Sequence, residues 1–494
     1  GHSERRDYFK ETDEMINKKV LKVLKEHHMS EYNRKLTKEE IEKIGEKVVG
    51  RTFGELGDFK YNLENFDYKG GMGVLMEENV FQYDANNDSN PDFYDAGIEL
   101  KVTPIKKNKN GTYSAKERLV LNIINYMEEY KNTFETSSFW HKNNTLYLMF
   151  YLWEEGIPRS DYRIIKQMLF NYPEEDLLII KQDWELIVSK IKKGLAHEIS
   201  EADTFYLGAC TKGKNKKSLR KQPFSDIPAM QRAYCLKTSY MTNLVRNRVI
   251  KNYQEKIITI EEIKQNSFEE VIYKKINNFI GKSREELIKL FNLNAKSKDV
   301  IERIFAKMLG IAGKVNDIDE FQKANITCKT IRVNENNTIT ESMSFPAFKF
   351  TEIIKEKWEN SILRKTFSET KYLFVIFKEK NKIFYFEGIK FWNMPLSVLD
   401  NEVRQVWDKT INIIKTGNIV KSQKRLANGK LIVYNNFPGI SENHVAHVRP
   451  HAINSSDCYE LPVADLLTGV TKYTKQSFWL NNEFIESIVV DDDN

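Results

Sequence analysis

The sequence predicts an α/β protein in which one fold is used twice, and three observations carry that prediction. Helical and strand periodicities interleave along the chain instead of segregating, the pattern of layered α/β domains. The length, 494 residues, exceeds one ordinary core at roughly 100 to 200 residues per domain and calls for two or three. Short motifs of the first half also return, in the same order, in the second.

The elements follow in order. Residues 1–47 read as a helical N-terminal extension: they are Lys/Glu-rich, carry Ile16, Val20, Leu21, Val23 and Leu24 at helical spacing, and hold a capping box at Thr37-Lys38-Glu39-Glu40. A Gly70-to-Gly73 turn leads into a helix over Val74–Val80 that carries Glu77 and Glu78. Asn86–Pro91 is a loop and Gly97–Pro104 alternates as a strand. A turn at Asn108–Gly111 joins it to a second strand, Leu119–Ile124, and Thr145–Tyr151 is a further, almost wholly apolar strand.

The second copy shows in four matches. Val49-Gly50-Arg51-Thr52 with Glu55-Leu56 returns as Ile280-Gly281-Lys282-Ser283 with Glu286-Leu287. Asp92-Phe93, Ala96, Ile98 and Lys101 return as Glu320-Phe321, Ala324, Ile326 and Lys329. Glu135–Phe139 matches Glu341–Phe345, and Tyr234, Leu236, Tyr240, Met241 and Val245 match Phe478, Leu480, Phe484, Ile485 and Val489. The boundary is expected in the polar segment Asn252–Asn266.

Composition narrows the class. With 41% hydrophobic and 30% charged residues the chain is globular rather than low-complexity or disordered. No apolar run reaches the roughly 18 residues of a membrane span, and the N-terminus is charged rather than a signal core, so a cytoplasmic protein without a membrane partner is expected. The 4 cysteines lie far apart, which predicts reduced, packed thiols. Net charge is only +6, but Lys212, Lys214, Lys216, Lys217, Arg220, Lys221, Arg232, Lys237, Arg246 and Arg248 face a single acid, Asp226, in their segment. Such one-sided charge points to a nucleic-acid surface.

The chemistry sits at Pro91-Asp92 and Glu99-Leu100-Lys101. On a strand Glu99 and Lys101 share a face while Ile98 and Leu100 pack on the other. A loop carboxylate and a strand carboxylate can together bind a hard divalent cation, and the neighbouring ammonium can neutralise phosphate charge or activate water. A Glu-x-Lys pair alone is common, as at Glu129/Lys131 and Glu262/Lys264, where it decorates a helix face. Here the strand, the preceding acid, Glu77 upstream and Lys142 beside the next strand raise it to a metal-assisted phosphodiester hydrolysis site. Oxygen ligands without His or Cys favour Mg²⁺.

Met72–Glu77, Pro91-Asp92-Phe93, Ala96–Lys101 with Pro104, and Thr136-Ser137 with His141-Lys142 resemble MutH, the mismatch-repair nicking endonuclease. Lys116–Tyr126, Phe134–Phe139 and much of the second half are still more similar to the Sau-type restriction endonucleases. The resemblance covers nearly all of the chain after about Val48. It implies two related MutH-like (restriction-endonuclease-like) domains, each a central mixed β-sheet flanked by helices: a catalytic nuclease domain over 48–255 and a degenerate DNA-binding effector domain over 256–494. It implies a type II restriction endonuclease of the PD-(D/E)xK class, cutting double-stranded DNA at 5′-GATC-3′ with Mg²⁺ and stimulated by a second GATC site held by the C-terminal domain. Self-association on DNA and a functionally paired DNA methyltransferase go with that reading.

By position, the resemblance makes Asp92, Glu99 and the Leu100 backbone carbonyl metal ligands, Glu77 an additional acid, Lys101 the lysine that positions or activates water, and Lys142 a second lysine of the site. It places base reading on Cys210–Asn215, with Lys212 against guanine and Asn215 beside it; Lys214, Lys216, Lys217 and Arg220 are expected on phosphates. In the second copy Thr327 stands for Glu99, Glu320 for Asp92, Ala306 for Glu77 and Phe348, next to Lys349, for Lys142, so that copy is expected to be inactive. It keeps a reader loop with Arg449, His451 and Asn454. The alternatives are a MutH-like GATC nicking endonuclease, which the appended second domain argues against, and a non-cleaving DNA-binding regulatory protein.

Overall fold

The computed structural model describes residues 34–57, 71–85, 89–213, 218–249, 255–426 and 431–490. The helix expected around Ile16–Leu24 lies outside them, as do Lys214, Asn215, Lys216 and Lys217. The chain divides into two compact units, one formed by Gly1–Pro173 with Ala233–Asn252 and the other by Glu174–Arg232 with Tyr253–Asn494. Among the described residues no helix is long and apolar enough to cross a membrane.

The first unit starts at the capping box read in the sequence. Glu40 N–H donates to the Thr37 hydroxyl and Thr37 N–H to the Glu40 carboxylate, which fixes the start of α1 (Lys38–Glu46). Leu36, Ile41 and Val48 are buried in one core with Phe53, Leu100, Tyr147 and Met149. The described end of the expected N-terminal extension thus shares a core with residues that follow it. Gly45 is the contact point, because a Cβ there would collide with the Tyr147 hydroxyl and ring. Tyr147 is fully buried and has no room to retreat. Gly45→Ala is thus expected to destabilise the unit by about 1–3 kcal/mol, the cost of overpacking, read as a lower urea midpoint with unchanged slope.

The sheet of this unit contains β1 (Glu99–Lys107), β2 (Tyr113–Ala115), β3 (Thr145–Leu152) and β4 (Arg163–Asn171) in the order β2-β1-β3-β4. β1 and β3 run parallel with Glu99 opposite Leu146, and the two outer pairings are antiparallel. This corrects the expected hairpin. The Asn108–Gly111 turn returns first into the short β2, whereas Leu119–Ile123 leaves this sheet to pair with Arg232–Leu236. The helix expected from Val74 begins at Gly71: α2 (Gly71–Leu75) continues into a π-helical turn, Met76–Val80, whose wider winding carries Glu77.

The second unit repeats these devices on its own residues. β5 (Ile326–Val333) and β6 (Lys371–Lys380) are parallel, β7 (Ile383–Trp392) is antiparallel to β6, and Thr327 lies opposite Tyr372 as Glu99 does opposite Leu146. A bulge interrupts β3 at Phe150/Tyr151 and β6 at Ile376/Phe377. Gly50 and Gly281 both take positive φ and donate to Ile164 and Phe386 respectively, and Thr52 and Ser283 each close a capping box with the glutamate three residues on. Gly97 and Asn325, two residues before Glu99 and Thr327 respectively, are both left-handed; Asn tolerates that conformation better than other side-chain-bearing residues.

One sequence match fails. Ser137 caps α3 (Ser138–Asn143) just before β3, and the same cap before β6 is Ser361 on α4 (Ile362–Glu369). Met343–Ser344 instead pairs with Gln476–Leu480 as Leu119-Val120 pairs with Arg232–Leu236. The similarity of Glu135–Phe139 to Glu341–Phe345 is therefore fortuitous, and counting from the shared cap sets Thr366, not Phe348, against Lys142.

Candidate active site

Strand alternation builds the site at the leading ends of β1 and β3. Leu100 turns into the core at 4% exposure while Glu99, also buried at 2%, points the other way with Lys101. Lys101 Nζ donates to Glu99 Oε1 at 2.5 Å, and Lys142 Nζ, from the last turn of α3, lies 3.5 Å from Glu99 Oε2. The loop acid is tied to the strand by two reciprocal bonds: Leu100 N–H donates to Asp92 Oδ2 at 3.0 Å and Asp92 N–H to Glu99 Oε2 at 3.1 Å. Sequence reading thus brought together residues that the fold does bring together.

It missed what holds Lys142. The Lys142 ammonium donates to the Asn90 carbonyl at 2.7 Å, and His141 Nε2 meets Asn90 Oδ1 at 3.0 Å. Asn90 therefore anchors the helix end to the loop that supplies Asp92. Its signal in the sequence was its place immediately before Pro91-Asp92.

Electrostatics show what the cluster lacks. Burial, and after it the neighbouring charge of Glu99, push the Asp92 carboxyl up to about 7, and the same two causes raise Glu77. Glu77, Asp92 and Glu99 repel one another, and Lys101 and Lys142 offset that repulsion only in part. Among the described residues no three acid, His or Cys side chains are grouped so that they could hold a metal ion by themselves. A small hard dication does not require one, since it takes one or two carboxylates and completes its shell with water and phosphate oxygens. Crowded carboxylate oxygens whose mutual repulsion the two lysines offset only in part fit such an ion.

Among its described residues the second copy shows no such cluster. Thr327 occupies the Glu99 position, and Ala306, expected from the sequence as the counterpart of Glu77, is buried on Val300–Met308. Glu320 is not a residual metal acid: its carboxylate accepts from Ile257 N–H and Ile258 N–H at 2.9–3.2 Å, and burial raises it to about 7. Lys329 remains, half-buried, with its pKa lowered by burial.

The expected DNA-reading residues fall in the second compact unit. Lys212 is exposed at the end of strand Leu207–Thr211 and its N–H donates to Gln231 O at 2.9 Å; His451 N–H makes the matching bond to Lys475 O at 2.9 Å after strand Ala446–Pro450. The two residues hold equivalent places. Arg449 is exposed with its guanidinium 3.7 Å from the Trp479 ring centre, and His451 Nδ1 lies 3.0 Å from Phe345 O. Asn454 is exposed, its side-chain oxygen accepting from Ser456 N–H and hydroxyl. Arg220 is exposed on the hairpin Leu219–Gln222/Ser225–Met230. The basic segment is not one surface, however, because Arg232 and Lys237 are buried at 6% and 2%, Arg232 donating to Ala209 O.

The family model for the DNA mismatch repair enzyme MutH matches residues 81–183, which contain Asp92, Glu99, Lys101 and Lys142. A model for triosephosphate isomerase matches residues 1–32, outside the described part; a barrel of that kind needs about 200 residues or more, so the match carries no fold. The MutH proteins of Shewanella woodyi and Vibrio vulnificus are 29% and 25% identical over 35% and 43% of this chain, and 74% and 93% of their own length. The type II restriction enzyme Sau3AI of Staphylococcus aureus is 39% identical over 92% of this chain and 99% of its own length. MutH thus matches less than half of the chain, whereas the restriction enzyme matches both copies of the fold, and it is to the Sau3AI family of type II restriction enzymes that this chain belongs.

Proposed function

We propose that the chain is a Mg²⁺-dependent endonuclease that hydrolyses double-stranded DNA at 5′-GATC-3′. In this reading residues 48–255 form the catalytic domain and residues 256–494 a DNA-binding domain that accelerates cutting when it holds a second GATC site. The observation that carries the proposal is the contrast between the two copies: buried carboxylates with two lysines on β1 and α3, against Thr327, Ala306 and Thr366 in the second.

Asp92, Glu99 and the Leu100 carbonyl, with Glu77 nearby, would hold Mg²⁺, which when bound places positive charge on the scissile phosphate and lowers the pKa of water. Lys101, freed from Glu99 as charge is redistributed, orients the attacking water. Lys142 is fixed by Asn90 and balances charge developing on the phosphate. Lys212 donates to a guanine edge, Arg220 to phosphate, and Lys214, Asn215, Lys216 and Lys217 extend that contact. Arg449, His451 and Asn454 take the second site. One cleavage centre per chain means that a double-strand cut needs two chains meeting on DNA or two successive nicks, and host DNA then needs a methyltransferase for protection.

Plasmid DNA with several GATC sites, incubated with Mg²⁺, is expected to give discrete GATC fragments. Open circles alone would favour a nickase, and binding without cutting would sink the enzyme reading. A short duplex with one GATC is expected to be cut slowly, and several-fold faster when an uncleavable GATC duplex is added. Arg449→Ala is expected to abolish that acceleration and leave basal cutting intact; equal acceleration in the variant would remove the second-site assignment.

A further inference from the structure

The duplicated fold locates a place where the second copy gained chemistry. In the first unit Phe53 is fully buried, edge-on to Tyr151 at 5.3 Å, and Tyr151 stacks on Tyr162 at 5.6 Å. The matching capping boxes, strand registers and bulges equate Phe53 with Arg284, Tyr151 with Phe377, Tyr162 with Phe384 and Pro104 with Arg332. Where the first copy has an aromatic plug, the second has a cavity of about 300 Å³ lined by Arg284, Arg332, Lys382, Phe377 and Phe384, with Glu285 as its acid.

We propose that this cavity binds the phosphate of a nucleotide. Its lining carries three cations against one carboxylate, and Arg284 already engages Glu285 at 3.1 Å. The side chains of Arg332 and Lys382, both exposed, make no hydrogen bond or ion pair among the described residues, and Lys382 is presented by the tight β6–β7 turn, where Asn381 and Lys382 both have positive φ. Arginine forks match phosphate oxygens, and Phe384 with Ile383 offers an apolar wall on which a base can lie. The volume is at the small end of ligand sites, suited to one nucleotide. Solvated arginines scattered over a face would be unremarkable; these converge on one recess and replace a core phenylalanine and a strand proline.

The phosphate can come from a free nucleotide or from a DNA backbone, and the test separates them. The full chain, without divalent cations and at low ionic strength, is titrated with deoxyadenosine 5′-monophosphate, with deoxyadenosine, and with a labelled duplex lacking GATC. The monophosphate is expected to bind saturably and the nucleoside not to. Arg332→Leu and Arg284→Phe should each weaken phosphate binding about tenfold or more, the loss of one charged hydrogen bond or two, with an unchanged thermal midpoint. If only the duplex loses affinity in these variants, the phosphate is that of DNA; if the monophosphate does, it is that of a free nucleotide. Variants that bind every probe like the unsubstituted chain, or a nucleoside that binds as well as its monophosphate, would overturn the proposal. Arg332→Lys, which keeps the charge and loses the fork, should fall between.

Discussion

Glu99→Gln is expected to lower cleavage of GATC-containing plasmid by about 10³-fold or more, the scale on which removing a group that stabilises developing charge acts in hydrolytic sites. Glutamine keeps the shape of the side chain and an oxygen that can still accept from Asp92 N–H, which in the native protein donates to Glu99 Oε2. What it removes is the charge shared by Lys101 and Lys142. It also removes the neighbour that, after burial, contributes most to holding Asp92 near 7, so the Asp92 carboxyl should move down toward the usual range. Two readouts distinguish this from misfolding. Binding of a GATC duplex without divalent cations should stay within a few-fold of the native chain, and the proton affinity of Asp92, followed by carboxyl-selective infrared or NMR titration, should fall. A Glu99→Gln protein that cuts at the native rate would mean that Glu99 and Lys101 are a buried structural pair and that the chemistry lies elsewhere.

The site was legible because its signals are local. Alternation along β1 put Glu99 and Lys101 on one face, and the loop acid and the lysine before the next strand sit where a parallel pair of strands brings them together. The duplication was legible where backbone geometry demands a residue type, as at Gly50 and Gly281 with positive φ, or in the two capping boxes. A further such repeat went unread: Asn108-x-Asn110-x-Thr112 returns as Asn334-x-Asn336-x-Thr338, with the same turn bonds, Asn108 N–H to Thr112 O at 2.7 Å and Asn334 N–H to Thr338 O at 2.8 Å.

What the sequence did not reveal depends on partners distant along the chain. Leu119–Ile123 alternates like a hairpin strand, and nothing local says that it pairs with Arg232–Leu236 rather than with β1. The short match at Glu135–Phe139 competed with a better structural counterpart, Glu359–Leu363, whose shared feature is the buried Ser137 and Ser361 caps rather than a run of identical residues. Arg232 and Lys237 carried the charge of a DNA surface, but strand burial overrode it because Ala209 O, for one, needed a donor. Glu320 kept an acid where Asp92 has one, and tertiary packing gave it a different task, as the acceptor for the Ile257 and Ile258 amides.

The second large effect expected is on stability, at Asp183→Ala. Asp183 lies on the long helix Glu174–Lys192, 2% exposed, and its carboxylate accepts from three consecutive backbone amides: Phe205 at 2.7 Å, Tyr206 at 2.6 Å and Leu207 at 2.9 Å. A buried carboxylate is tolerated where N–H donors replace its water, and these amides in turn have Asp183 as their acceptor at the point where the chain enters strand Leu207–Thr211. Alanine leaves three buried donors without that acceptor. At about 1–3 kcal/mol for each unsatisfied buried group, with partial rescue by entering water, the loss should reach about 3–5 kcal/mol, a large share of the about 5–15 kcal/mol that stabilises an ordinary domain. Asp183→Asn should cost less, because one oxygen still accepts while the amide group confronts a donor. The position of the contact gives the effect a functional side. The strand held by Asp183 ends at Thr211, next to Lys212, so at temperatures where the alanine protein is still folded, GATC-specific binding should weaken more than binding to a duplex without the site. Urea unfolding followed by circular dichroism tests the first part, and paired binding isotherms test the second. A midpoint shift worth less than about 1 kcal/mol would show that the amides find other acceptors, and an equal loss on both duplexes would show that the strand entry does not position the reader.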